Sequence, residues 1–300
     1  LRSNPAGEFR IAGLPAHAVT GDLVRFNLAH DSRGNDFAKL VSLIDGQSDI
    51  ESKAIAISED LNIPTIWPAE ISSSYQNAEY RDESRYLSSR EDMTNIPFIT
   101  IDGEDAKDFD DAVFAEFLHG DNLWRLVVAI SDVSAYVSPG TPLDDEARRR
   151  GTSVYLPGLV FPMLPEALSN GICSLQPGKD RLSLVVDIKI TSDGRIQSFT
   201  FHQALICSRA RLTYEEVQHY FDKDGNSSLK ALLRADQLKS VDCLVGVYKA
   251  LMIDRESRGA LDFQAREGSP VLVGGKVKEL RSVERSTAHK IIEESMICAN

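Results

Sequence analysis

A chain of 300 residues with 42% apolar side chains can bury a sizeable core in more than one domain, which excludes a disordered polypeptide. A formal charge of −12 argues against a polyanion held by basic surface alone, because nucleic acid is normally bound by clustered Lys and Arg that release counterions. No apolar run approaches a membrane span, no signal peptide is evident, and Cys173, Cys207, Cys243 and Cys298 form no C-x-x-C pair, so the expectation is a soluble cytoplasmic protein with reduced thiols.

Residues 1–48 read as short strands at Phe9–Ala12, Gly21–Leu28 and Phe37–Ile44, parted by Gly, Asp and Asn turns. Three strands are too few to close a small barrel. An amphipathic pattern from Ile50 to Asp60 predicts a short helix, which the Pro-containing run Asn62–Pro68 breaks. Ser72–Arg90 is polar and reads as a linker or helix.

The stretch from Thr100 to Phe114, T-I-D-G-E-D-A-K-D-F-D-D-A-V-F, then gathers Asp102, Glu104, Asp105, Asp108, Asp110 and Asp111 around one Lys107. Crowding carboxylates costs repulsion, and a folded chain tolerates it when a cation sits among them. Ile96, Phe98, Ile99 and Ile101 before the loop, and Ala112, Val113 and Phe114 after it, predict two buried strands as a rigid frame. Hard oxygen ligands on such a frame suit Mg²⁺ or Mn²⁺. A solvated acidic face is the plain alternative. A calcium loop of the EF-hand type does not fit, since no Gly follows the third acid.

Downstream, Ala112–Phe117, a His119–Asn122 turn and Leu123–Ser131 predict a hairpin that returns Asp132 to the end of the sheet carrying the acids. Asp132 supports the acids from behind or caps a turn. Leu143–Arg150 predicts a helix ended by Gly151. Tyr155 lies in S-V-Y-L-P-G, where it is either a core tyrosine or a base-stacking aromatic. Leu182–Ile190 and Arg195–Ile206 predict a second hairpin. Arg209 and Arg211 precede Tyr214 and meet either phosphates or neighbouring acids. Leu229–Arg258 predicts one long helix with an apolar stripe, followed by a hairpin at Pro270–Val273 and Lys276–Leu280. A last helix carries His289, Glu293 and Glu294, a spacing that is not the H-E-x-x-H of zinc hydrolases.

The D-x₅-D-x-D-D pattern resembles the catalytic signature of the ribonuclease II/ribonuclease R family of exoribonucleases. Five further stretches match that family in order: Leu126–Val137, Pro142–Pro157, Phe161–Leu175, Ala210–Tyr214 and Ala288–Asn300, with wording closer to the ribonuclease R branch. The resemblance covers Ile96–Asn300. It implies an α+β catalytic domain, a mixed or antiparallel sheet with surrounding helices, over residues 91–300. Residues 49–90 would be a helical connection, and residues 1–48 the C-terminal part of an OB or cold-shock barrel.

The implied activity is hydrolytic 3′→5′ degradation of single-stranded RNA to nucleoside 5′-monophosphates. Asp102, Asp108, Asp110 and Asp111 would hold two Mg²⁺, or Mn²⁺ in their place, roughly 3.5–4 Å apart. By the same resemblance Tyr155 and Phe263 would stack on bases, Tyr214 would lie near the scissile phosphate, and Glu293 or Glu294 would contact RNA. Relatives continue past Asn300 with an active-site arginine and an RNA-binding domain, so the chain is expected to be truncated at both ends, and inactive alone if those parts are indispensable. A catalytically incompetent RNA-binding module is the rival reading.

Overall fold

The computed structural model describes residues 9–44, 49–75, 89–222, 229–260, 267–274, 276–283 and 285–300. Along the chain its strands are β1 (Ile11–Ala12), β2 (Val24–His30), β3 (Asp36–Leu43), β4 (Glu91–Asp92), β5 (Ile99–Asp102), β6 (Asp111–Leu118), β7 (Leu123–Ser131), β8 (Val154–Leu156), β9 (Leu159–Phe161), β10 (Asp180–Ile190), β11 (Ile196–Cys207), β12 (Ala210–Thr213), β13 (Glu267–Val273) and β14 (Lys276–Val283). The helices are α1 (Asp49–Asp60), α2 (Ala69–Ser74), α3 (Pro142–Arg150), α4 (Tyr214–Asp222), α5 (Leu229–Leu232), α6 (Ala235–Ser257) and α7 (Thr287–Ala299).

These elements form two compact units of interleaved segments: Leu1–Ile71 with Asp145–Met163 and Glu267–Val283, and Ser72–Asp144 with Leu164–Arg266 and Glu284–Asn300. In the first unit, β1, β3 and β2 form a three-stranded sheet in that order. The buried Arg150 at the end of α3 donates to Glu146 (2.9 Å), the Ile66 carbonyl (3.1 Å) and the Pro162 carbonyl (3.1 Å), and lies 3.7 Å over the Trp67 ring. The β8–β9 hairpin turns at Gly158, where φ is +76°, and reaches β13: a Cβ at Gly158 would stand 3.5 Å from Leu272. Tyr155 projects from β8.

The second unit is built on a seven-stranded mixed sheet of order β12-β5-β6-β7-β10-β11-β4. Its centre is antiparallel, and β12 on β5 and β4 on β11 are parallel edges. Successive strand residues face opposite ways, and the apolar pattern obeys this. Val113, Leu126, Val128, Val186 and Ile188 pack with Val217 of α4, Val241, Leu244 and Val247 of α6, and Ile291 and Ile292 of α7. Their neighbours Ala112, Val127, Ala129 and Val185 join Phe98, Phe109 and Leu175 in a core on the other face.

The long helix expected from Leu229 to Arg258 is two. The Arg234 N–H donates to Gln237 Oε1 (2.7 Å), starting α6 afresh with a side chain in place of the preceding turn. At the β10–β11 turn, Gly194 has φ +86°, and a Cβ there would fall 2.0 Å from the Ala250 carbonyl oxygen. Gly194→Ala should therefore destabilise the protein by about 2–3 kcal/mol in urea titrations, from left-handed strain and backbone overlap together. A loss below about 0.5 kcal/mol would mean that the turn and α6 are not pressed together.

Candidate active site

The acidic loop joins two strand ends. Asp102 closes β5, Asp111 opens β6, and Ile99 pairs with Val113 between them. β12 runs parallel to β5 from Ala210 opposite Ile99 to Thr213 opposite Asp102, so its exit delivers Tyr214 beside the acids. A reciprocal cap fixes this corner: Thr213 N–H donates to Glu216 Oε2 (2.8 Å) and Glu216 N–H to Thr213 Oγ1 (3.1 Å).

The loop's backbone is pinned along its length. Ser174 Oγ donates to the Lys107 carbonyl (2.9 Å) and accepts from Phe109 N–H (3.1 Å). Leu175 N–H donates to the Phe109 carbonyl (2.8 Å) and Ser131 N–H to that of Asp110 (2.8 Å). Arg211 Nη2 takes the carbonyls of Gly103 (2.7 Å) and Glu104 (2.6 Å). Ser174 follows a π-helical turn, Ala167–Ile172, a form of turn common at functional sites, and Arg181 holds its exit through the carbonyls of Ser174 (2.8 Å) and Gly171 (3.3 Å). Sequence reasoning missed Ser174 and Arg181. The signal available was a serine enclosed in the apolar run I-C-S-L.

On this frame the carboxylates disturb one another. Burial first, and then the charges of Asp111, Asp108 and Asp110, push the Asp102 carboxyl up to about 7 against the pull of Arg211. Burial and Asp110 push Asp111 to about 6, and burial and Asp108 raise Asp110. Glu104 and Asp105 are exposed. Asp102 Oδ2 is buried without a hydrogen-bond partner. An orphaned carboxylate oxygen amid mutually repelling acids fits a divalent cation. Among the described residues, no group of three or more His, Cys, Asp or Glu side chains, as they lie, is placed to hold a metal ion, so binding one would need the carboxylates to turn toward it.

The raised pKa values have a sign. A carboxyl lifted in the folded state keeps its proton after the unfolded chain has lost one, so metal-free stability should fall as pH rises from about 4 to about 7. Asp102→Asn should remove much of that slope and stabilise the metal-free protein at pH 7 by about 2 kcal/mol, allowing for the solvent that screens a partly exposed group. Thermal melts between pH 4.5 and 7.5 in chelator check this; a stability that climbs with pH in that window would contradict it.

The other expected residues fall as follows. Burial, Asp102 and Asp111 push the Tyr214 phenol to about 12, and its ring stacks on His289. Arg211 serves the acidic loop, and Arg209 reaches the Thr94 carbonyl and, at 3.7 Å, Cys207 Sγ. Tyr155 is 63% exposed, so it is not a core tyrosine. Phe263 lies outside the described residues. Glu293 is half-buried and pairs with Arg285 at 2.8 Å, whereas the buried Glu294 pairs with Arg255. Asp132 is no simple turn cap: at 2% exposure it forms an ion pair with the equally enclosed Arg90.

The RNB domain family matches residues 90–300. Ribonuclease R of Escherichia coli is 44% identical over 239 residues, 79% of this chain and 29% of that protein. Ribonuclease R of Thermotoga maritima is 39% identical over 270 residues, 89% of this chain and 37% of the relative. Among solved structures, Mycoplasma genitalium RNase R in complex with ribose-methylated single-stranded RNA superposes with a TM-score of 0.86 at 25% identity, covering 97% of this chain and 46% of that one. The chain thus spans about a third of the length of these curated relatives.

Proposed function

The chain belongs to the RNB-domain family, and on that premise we propose that it acts as, or within, a hydrolytic 3′→5′ exoribonuclease that shortens single-stranded RNA to nucleoside 5′-monophosphates. The observation that carries this reading is the cluster of Asp102, Asp110 and Asp111 at two adjoining strand ends, with raised carboxyls and an orphaned oxygen. Enzymes of this family are nucleases that generally use divalent metal ions. Asp102, Asp108, Asp110 and Asp111 would hold Mg²⁺, with Mn²⁺ able to replace it, and the bound ions would supply water activation and charge neutralisation at the leaving 3′-oxygen.

The protein's own groups do the rest. The pinned backbone from Lys107 to Asp110 fixes the positions from which the carboxylates reach, so that only their side-chain torsions remain to be set. Tyr214 keeps its proton at neutral pH and can donate it in a hydrogen bond to a phosphate oxygen. Tyr155, exposed on its hairpin, offers a flat face to a nucleobase, and Phe263 is proposed as a further base-stacking aromatic. Stacking accepts any base, so sequence preference should be weak. Glu293, the more exposed of the two glutamates, is the better candidate for an RNA contact. Residues 1–48 are proposed to derive from an OB or cold-shock barrel, 49–90 to connect, and 91–300 to be catalytic, in a protein of the cytoplasm. No helix among the described residues is long and apolar enough to cross a membrane.

The test is digestion of 5′-labelled single-stranded RNA with Mg²⁺ or Mn²⁺, beside the same sequence as DNA. A metal-dependent ladder that shortens from the 3′ end of RNA only is the expected result. Internal cuts, equal attack on DNA, or neither binding nor cleavage of RNA would overturn the proposal.

A further inference from the structure

We infer that His289 is a positioning residue for Tyr214, holding the phenol where its hydroxyl serves the acidic cluster. The inference rests on the exoribonuclease reading above. Tyr214 follows Thr213, the β12 residue opposite Asp102, and its phenol lies close enough to feel the charges of Asp102 and Asp111. A tyrosine at the mouth of a strand can rotate about χ1 and χ2, and a change of χ1 well would carry its hydroxyl several ångströms away.

His289 removes that freedom. Its imidazole lies flat on the phenol, with ring centroids 4.0 Å and planes 15° apart. The imidazole is itself fixed from behind, because Nδ1 lies 2.7 Å from Oγ of Ser286, the N-cap residue of α7. α7 is tied to α4, the helix that Tyr214 begins, by Ala288 N–H donating to Gln218 Oε1 (3.2 Å). It is tied to α6 by the Arg255–Glu294 ion pair, and its entry is held by Arg285 on Glu293 at 2.8 Å. Both rings of the stack are therefore mounted on helices locked to each other.

Two rings can also stack for packing alone. The two roles differ in one respect: positioning acts only through the Tyr214 hydroxyl, whereas packing is needed whether or not the hydroxyl exists. A double-mutant cycle of His289→Ala with Tyr214→Phe separates them. The cycle is read in kcat and KM on labelled RNA with Mn²⁺, and in the affinity of an unlabelled-end RNA oligomer with a free 3′-hydroxyl in Ca²⁺.

His289→Ala should lower kcat about tenfold with KM within about twofold, and His289→Phe, which keeps a flat ring on the phenol, should restore most of the loss. In the Tyr214→Phe background, His289→Ala should cost no more than about twofold further. If His289→Ala fails to fold, His289→Leu, which fills the space without a flat face, replaces it in the cycle. Equal losses in both backgrounds, or no loss in either, overturn the inference and leave the exoribonuclease reading standing. A parent chain that neither cleaves nor binds the oligomer overturns that reading, and this inference with it.

Discussion

Asp110→Asn should reduce RNA cleavage by at least about 10³-fold while leaving RNA affinity within about threefold. Asp110 stands in the D-x-D-D core of the acidic loop; the residue is exposed on one side, and partial desolvation of its carboxyl together with the charge of Asp108 raises it. Asparagine has the same shape but carries no charge, so on the proposed reading the site would lose a hard anionic ligand and keep its shape. The fold should not suffer, because the loop is held there by the Asp110 carbonyl, which accepts from Ser131 N–H at 2.8 Å whatever the side chain is. RNA affinity is expected to persist because stacking and backbone contacts are spread over many nucleotides. Fluorescence anisotropy on the oligomer used for the cleavage assay gives both quantities. If binding and cleavage fell together, Asp110 would be a residue of the RNA path or of the fold, and not of the reacting centre.

Asp132→Ala should destabilise the protein by about 3–5 kcal/mol, the largest stability effect expected of a single change here. Asp132 and Arg90 have side-chain exposures of 3% and 4%, so truncating the acid leaves a buried guanidinium without its carboxylate, while the Ser183 carbonyl still accepts from it at 3.3 Å. Ser134 Oγ, 2.5 Å from Asp132 Oδ1, would lose its acceptor as well. Adding Arg90→Met should recover much of the loss, since a pair of apolar groups needs no ionic partner. Urea unfolding of the two single variants and the double variant measures this. A cost below about 1 kcal/mol for Asp132→Ala would show that Arg90 finds another partner or solvent. Because Asp132 follows β7 directly, and Ser131 at the end of that strand bonds the Asp110 carbonyl, a weakened corner should also blur the acidic loop.

Much of the second unit was legible in the sequence because period-two apolar alternation and turn residues are local properties. The β6–β7 hairpin, the β10–β11 hairpin and α7 fall close to where their patterns place them. The division of the α5–α6 region was not legible. Its apolar stripe runs on through Leu233, and only the Gln237 side chain on the Arg234 backbone marks the new start. The short α2 was also hidden, since six residues, A-E-I-S-S-S, carry too little periodicity to stand out from a polar linker.

The candidate site divides in the same way. Sequence alone determined which groups could do chemistry: the D-x₅-D-x-D-D spacing, its apolar flanks and the order of the further stretches are written in the chain, and they single out Asp102, Asp108, Asp110, Asp111 and Tyr214. Tertiary structure decided what holds those groups and which alternatives fail. That Arg211 grips the loop's carbonyls, that Ser174 bonds Lys107 and Phe109 from more than sixty positions away, and that His289 lies on Tyr214 all depend on pairing between segments remote in sequence. The same holds for Glu294, turned inward to Arg255, and for Asp132, enclosed with Arg90. A residue's chemistry travels with its identity, whereas its partner, its burial and its pKa are set by whichever distant side chains the fold brings within a few ångströms.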